Sequence, residues 1–149
     1  MLLSALQKQA LALLSSAGEL QIPGVSVFAV DTADSASAYA EGLAACGTSV
    51  GILPPTGRFR PDSDGPVSTD GGLSLLVNVS EPIELSRAQG VPPVTDLAET
   101  VACVLHSQNN PGRADEIPLG LVDIRIVPDK EMLIMQVVMS ATGSLSLNR

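Results

Sequence analysis

Residues 73–80 alternate between two sides with a period of two. Leu73, Leu75, Val77 and Val79 fall on one side, and Ser74, Leu76, Asn78 and Ser80 on the other. Successive strand side chains point to opposite faces, so this pattern predicts a strand with one face on a core. Glu81-Pro82 breaks the run, and a connection leads to Val94, where the spacing turns helical. Val94, Leu97, Ala98, Val101, Ala102 and Leu105 form an i, i+3, i+4, i+7 stripe, with Thr95 or Asp96 placed to start the helix. Asn109, Asn110, Pro111 and Gly112 stop it.

The same reading extends over the rest of the chain. A first helix is predicted over 2–16, with Leu3, Leu6, Ala10, Leu13 and Leu14 as its apolar stripe and Gly18 as a C-terminal cap. Pro23-Gly24 turns the chain into a short strand over 25–30. Asp34 or Ser35 can cap a second helix over 36–46, with Ala36, Tyr39, Ala40 and Leu43 on its buried side and Gly47 at its end. A strand over 49–53 follows, making a β-α-β unit whose strands are expected to be parallel neighbours. Residues 56–72, rich in Gly, Pro and Asp, read as a long exposed loop, with 57–60 as a candidate extension of the preceding strand; Arg58, Phe59 and Arg60 are its chemically distinctive patch and interface candidates.

The last part predicts a hairpin. Residues 119–127 form one strand with Val122, Ile124 and Ile126 inward and Asp123 and Arg125 outward; residues 128–131 turn. Residues 132–140 return as a strand that is apolar on both faces, which calls for a central place in the sheet or a covering subunit. Met132, Ile134 and Val138 are its interface candidates. The tail, 141–149, is polar and expected to be flexible or bound by a partner. The fold class is α+β: one domain over 1–149, with a mixed or antiparallel sheet of about five strands and two to three packed helices.

Composition narrows the function. Hydrophobic residues make up 45% and charged residues 16%, the balance of a folded chain. Aromatics are 2% with no Trp, so the core is aliphatic and the stacking platforms of single-strand nucleic-acid binders are missing. A net charge of -8 repels DNA phosphates at long range. Cys46 and Cys103 lie in apolar helical contexts and read as buried, reduced thiols. The leading segment lacks a basic start, and Gln7, Lys8 and Gln9 interrupt its apolar run, so it reads as a helix and not a signal peptide. No stretch reaches the ~20 apolar residues of a membrane span.

The candidate chemical motifs fall away when their mechanics are asked for. Residues 47–51 match G-x-S-x-G, but a nucleophile elbow needs a strand before the serine and a helix after it, and here the order is reversed. His106 ends a helix, where a histidine suits the helix dipole. Asp62, Asp64 and Gly65 resemble the start of a calcium loop, yet Leu73 stands where the closing acid belongs. Asn78-Val79-Ser80 is a glycosylation sequon inside a predicted strand. No P-loop, dinucleotide fingerprint or metal-ligand spacing appears, and no catalytic, cofactor-binding or metal-binding residue is assigned. Glu81, Glu84 and Arg87 flank a loop and read either as a charged interface rim or as solvated surface.

Element order and one motif carry a resemblance. The order is helix, β-α-β unit, long loop, a strand ending Glu81-Pro82-Ile83-Glu84-Leu85-Ser86-Arg87, a helix closing on Leu105-His106, and a hairpin. This resembles the small tail-terminator proteins of long-tailed bacteriophages, whose corresponding strand ends in Glu-Asn-Pro, two apolar residues and Asn-Arg. This chain lacks the Asn before Pro82 and carries Ser86 for the second Asn. The resemblance implies an α/β sandwich that assembles as a hexameric ring at the head-proximal end of the tail tube. It implies as partners the tail-tube protein and a neck or connector protein, with DNA passing through the ring unbound. It implies a virion component assembled in the host cytoplasm, acting by binding, without turnover or cofactor. Two other readings stand beside it. One is a small cytosolic ligand-binding or enzymatic domain using Tyr39, Arg58, Arg60 and His106; the other is a cytosolic adaptor dimer.

Overall fold

In a computed structural model of the chain, the residues described are 2–30, 47–59, 67–83, 89–106, 117–141 and 144–145. The two helices among them are α1 (Leu2–Ser16) and α2 (Val94–Leu105). The strands are β1 (Val25–Ala29), β2 (Thr48–Ile52), β3 (Thr56–Phe59), β4 (Val67–Pro82), β5 (Gly120–Val127), β6 (Met132–Ala141) and β7 (Ser144–Leu145). The sheet runs β1-β2-β4-β6-β5, and β3 and β7 pair with the first half of β4. β1 and β2 are parallel and every other pair is antiparallel, so the fold is α+β with a mixed sheet.

β4 is the axis of the sheet. Its alternation gives the expected result: Leu73, Leu75, Val77 and Val79 are fully buried. They pair across β6 with Ala141, Met139, Val137 and Met135. Val50 and Ile52 of β2 continue the same face. Helix α2 packs on this face over β6, β4 and β5, while α1 covers β1 and β2 and lies against α2. The whole predicted stripe of α2 is buried, from Val94 to Leu105. Burying each of its larger side chains contributes about 1.5–3 kcal/mol before entropy is charged. In α1 the buried positions are Leu6, Gln7, Ala10 and Leu14, with Leu3 and Leu13 half-buried at the margin.

Several expectations are corrected. Residues 56–72 do not form one loop. Thr56–Phe59 pairs antiparallel with β4, from Thr56 opposite Ser74 to Phe59 opposite Thr69, and β4 begins at Val67. Backbone hydrogen bonds hold this ribbon, and they leave no trace in side-chain periodicity. Glu81-Pro82 is no break, because β4 runs through Pro82, which sits opposite Met132 at the sheet's end. Helix α2 is capped by Pro93 rather than by Thr95 or Asp96, which lie inside its first turn. Gly18 does not adopt the left-handed cap conformation; it opens a 3-10 turn, Gly18–Leu20. Val122 and Ile126, expected inside, are 61% and 65% exposed. The β5–β6 register shifts between Leu121 and Asp123, and the two described helices leave Val122 and Ile126 uncovered. Cys103 is exposed, not buried. Part of the tail is ordered into β7, where Leu145 pairs with Val67. Cys46 and the predicted helix 36–46, with Tyr39, lie outside the described residues.

Candidate interface on the sheet

The sheet has a second face, turned away from α1 and α2. Cross-strand pairing puts Met132, Ile134, Gln136, Val138 and Ser140 of β6 there, opposite Pro82, Ser80, Asn78, Leu76 and Ser74 of β4. The strand apolar on both sides is therefore central in the sheet, and its three candidate residues share one face. Val138 is buried within the chain, whereas Met132 and Ile134 keep surface.

Phe28, Gly51, Asn78, Gln136 and Arg125 are consecutive register partners over five strands, and the last three make a row of polar groups on this face. Gln136 Nε2 donates to Asn78 Oδ1 at 2.9 Å. Arg125 donates to Gln136 Oε1 from Nε at 3.0 Å and from Nη2 at 2.8 Å. The amide of Gln136, 7% exposed, thus uses its donor toward β4 and its acceptor toward β5. This fixes the lateral order of three strands in a way apolar pairs cannot, because each partner needs the other's polarity. One row along, Ser49 and Ser80 are register partners and both fully buried. The Ser49 hydroxyl has no hydrogen-bond partner among the described residues.

Two glutamines of α1 perform similar bracing. Gln7 Nε2 donates to the carbonyls of Val30 and Ile52, at 2.9 and 3.0 Å, and so ties together the ends of the parallel pair β1–β2. Gln9 exchanges two 2.8 Å hydrogen bonds with the backbone of Ile117, as a strand neighbour would. In the sequence these residues only interrupt an apolar run. Their spacing from Leu6 and Ala10, on the inner side of the helix, is the signal that could have placed them against a backbone.

The remaining predicted positions are dispersed. Glu81 is half-buried at the end of β4, opposite Leu133. Arg58 and Phe59 belong to β3 by backbone. Arg60, Glu84 and Arg87 lie outside the described residues. His106 Nδ1 accepts the backbone N–H of Leu121 at 3.2 Å, fastening the end of α2 to the start of β5. A histidine engaged in this way is a brace, and of the four groups of the enzymatic reading it is the one whose side chain is described. Glu19, Asp96, Glu99, Thr100, Cys103 and Val104 line a shallow groove beside α2. Among the described residues no cluster of His, Cys, Asp or Glu converges to hold a metal ion. No helix among them is long and apolar enough to cross a membrane. Compared with known families and curated proteins, the chain matches no family model and no curated sequence.

Proposed function

We propose that the chain is a structural binding protein of a phage tail, a terminator that forms a hexameric ring on the head-proximal end of the tail tube. In this role it ends tube polymerisation and joins the tail to the neck or connector, while DNA passes without specific contact. The carrying observation is the second face of the sheet. Met132 and Ile134 keep apolar surface there, on a central strand whose other face buries Val137, Met139 and Ala141 in the core. The observed succession of elements, with a strand ending at Glu81-Pro82 before α2 and the final hairpin, also supports the resemblance to tail terminators. The net charge of -8 suits a passage through which DNA slides.

Light scattering on the purified chain, alone and mixed with tail-tube protein, tests this reading. The expected mass at assembly concentration is six times the 15.3 kDa of one chain. Addition to growing tubes should stop their elongation. A chain that remains monomeric with tube protein present, and leaves tube length unchanged, refutes it.

A further inference from the structure

We propose that β5 is a self-pairing edge, at which a second copy of this chain adds antiparallel with Ile124 opposite Ile124 of the other copy. β5 ends the sheet and pairs with β6 alone among the described strands. Its start is held by the His106 contact to Leu121. From Asp123 to Val127 its register with β6 is regular, and no described residue hydrogen-bonds its outer side. An edge of this kind is a template for another strand.

Exposed charges and a bulge are also the devices that protect an edge. The order of charges decides between protection and recognition. Asp123 and Arg125 lie two residues apart on the face away from the helices, opposite Val138 and Gln136, and both are exposed. For two copies to keep their helix layers on the same side, the two-fold axis must pass through a residue of β5. An axis at Asp123 or at Arg125 sets like charges opposite each other, and each such pair destabilises. An axis at Ile124 sets Asp123 of each copy opposite Arg125 of the other, giving two ion pairs. The same register sets Ile126 toward the Val122 end of the other copy's β5, so the two most exposed large apolar side chains among the described residues come to the contact. Arg125 uses Nε and Nη2 for Gln136, which leaves the Nη1 side of its fork for the incoming carboxylate. Directly opposite residues have Cβ atoms about 4.5–5.5 Å apart, within reach of an Asp–Arg pair.

The contact is isologous and generates pairs, whereas a six-membered ring needs a heterologous contact on another surface. The inference therefore does not rest on the ring reading. Sedimentation equilibrium on the full chain over a range of concentrations tests it. The unmodified chain should associate in even numbers of copies. Asp123→Arg, a change at an exposed position, should keep the far-UV circular dichroism and weaken the association roughly tenfold, since two attractive pairs become two repulsive ones. Arg125→Asp should weaken it at least as much. The double exchange Asp123→Arg with Arg125→Asp restores opposite charges and, compared with Arg125→Asp, which has lost the same Gln136 bonds, should associate about tenfold more tightly. A chain that is monomeric throughout, an association indifferent to Asp123→Arg, or a double exchange that associates no more tightly than Arg125→Asp would overturn the proposal. A six-copy assembly indifferent to Asp123→Arg removes β5 pairing while leaving the ring intact.

Discussion

Replacing Gln7 by Leu isolates the polar brace between α1 and the parallel strands. The position is 8% exposed, so the replacement stays inside the protein. Leu has nearly the same shape and a helix propensity at least as good, so packing and helix formation change little. What disappears is the pair of hydrogen bonds to the Val30 and Ile52 carbonyls. The Ile52 carbonyl keeps the Val30 N–H at 2.9 Å, whereas the Val30 carbonyl loses its bond from the side chain. At about 0.5–1.5 kcal/mol net for each bond, the expected loss is about 2 kcal/mol. For a chain of this size that lowers Tm by about 4–8 °C. Gln7→Glu keeps the shape but turns carboxylate oxygen toward two carbonyl oxygens, and should cost more than 3 kcal/mol at neutral pH. Urea unfolding followed by far-UV circular dichroism is the suitable assay, because the chain has no Trp and a single Tyr. A Leu variant within about 0.5 kcal/mol of the original, or a Glu variant as stable as the Leu variant, would refute the brace.

Two further substitutions test other parts of the scaffold. Gly72 has φ +87°, and a Cβ there would lie 2.8 Å from the carbonyl oxygen of Ala141. Gly72→Ala should therefore cost about 2 kcal/mol or more, read as a lower thermal midpoint, and a neutral result would mean that β6 ends differently. Ser49→Ala removes a fully buried hydroxyl that has no described partner, and should be neutral or stabilising by up to about 1 kcal/mol in urea unfolding. A clear loss of stability would show that the hydroxyl is bonded after all.

The parts of this fold legible in the sequence are those whose side chains report their own surroundings at short range. The period-two run of β4 and the helical stripe of α2 each bury one side, so hydrophobicity alone reveals the element and its inner face. Parallel pairing of β1 and β2 was expected from reading residues 25–53 as a β-α-β unit, and the two strands are parallel neighbours. What only the tertiary structure decided involves groups whose partners are distant in the chain. The extension of strand into 57–59 could be read, but its pairing with β4, and the start of β4 at Val67, are made by backbone atoms common to every residue and were concealed in a Gly- and Pro-rich stretch. Gln7, Gln9 and His106 looked like interruptions or ends until carbonyl and N–H groups 15 to 108 residues away were placed beside them. The inward assignment of Val122 and Ile126 failed because periodicity specifies a face, while burial depends on how far the helix layer extends over that face. The candidate interface was legible in the same measure. The two-sided apolarity of β6 could be read directly, but the joining of Asn78 to Gln136 and Arg125 required β4 to lie beside β6, a pairing between residues 58 apart that no local pattern specifies.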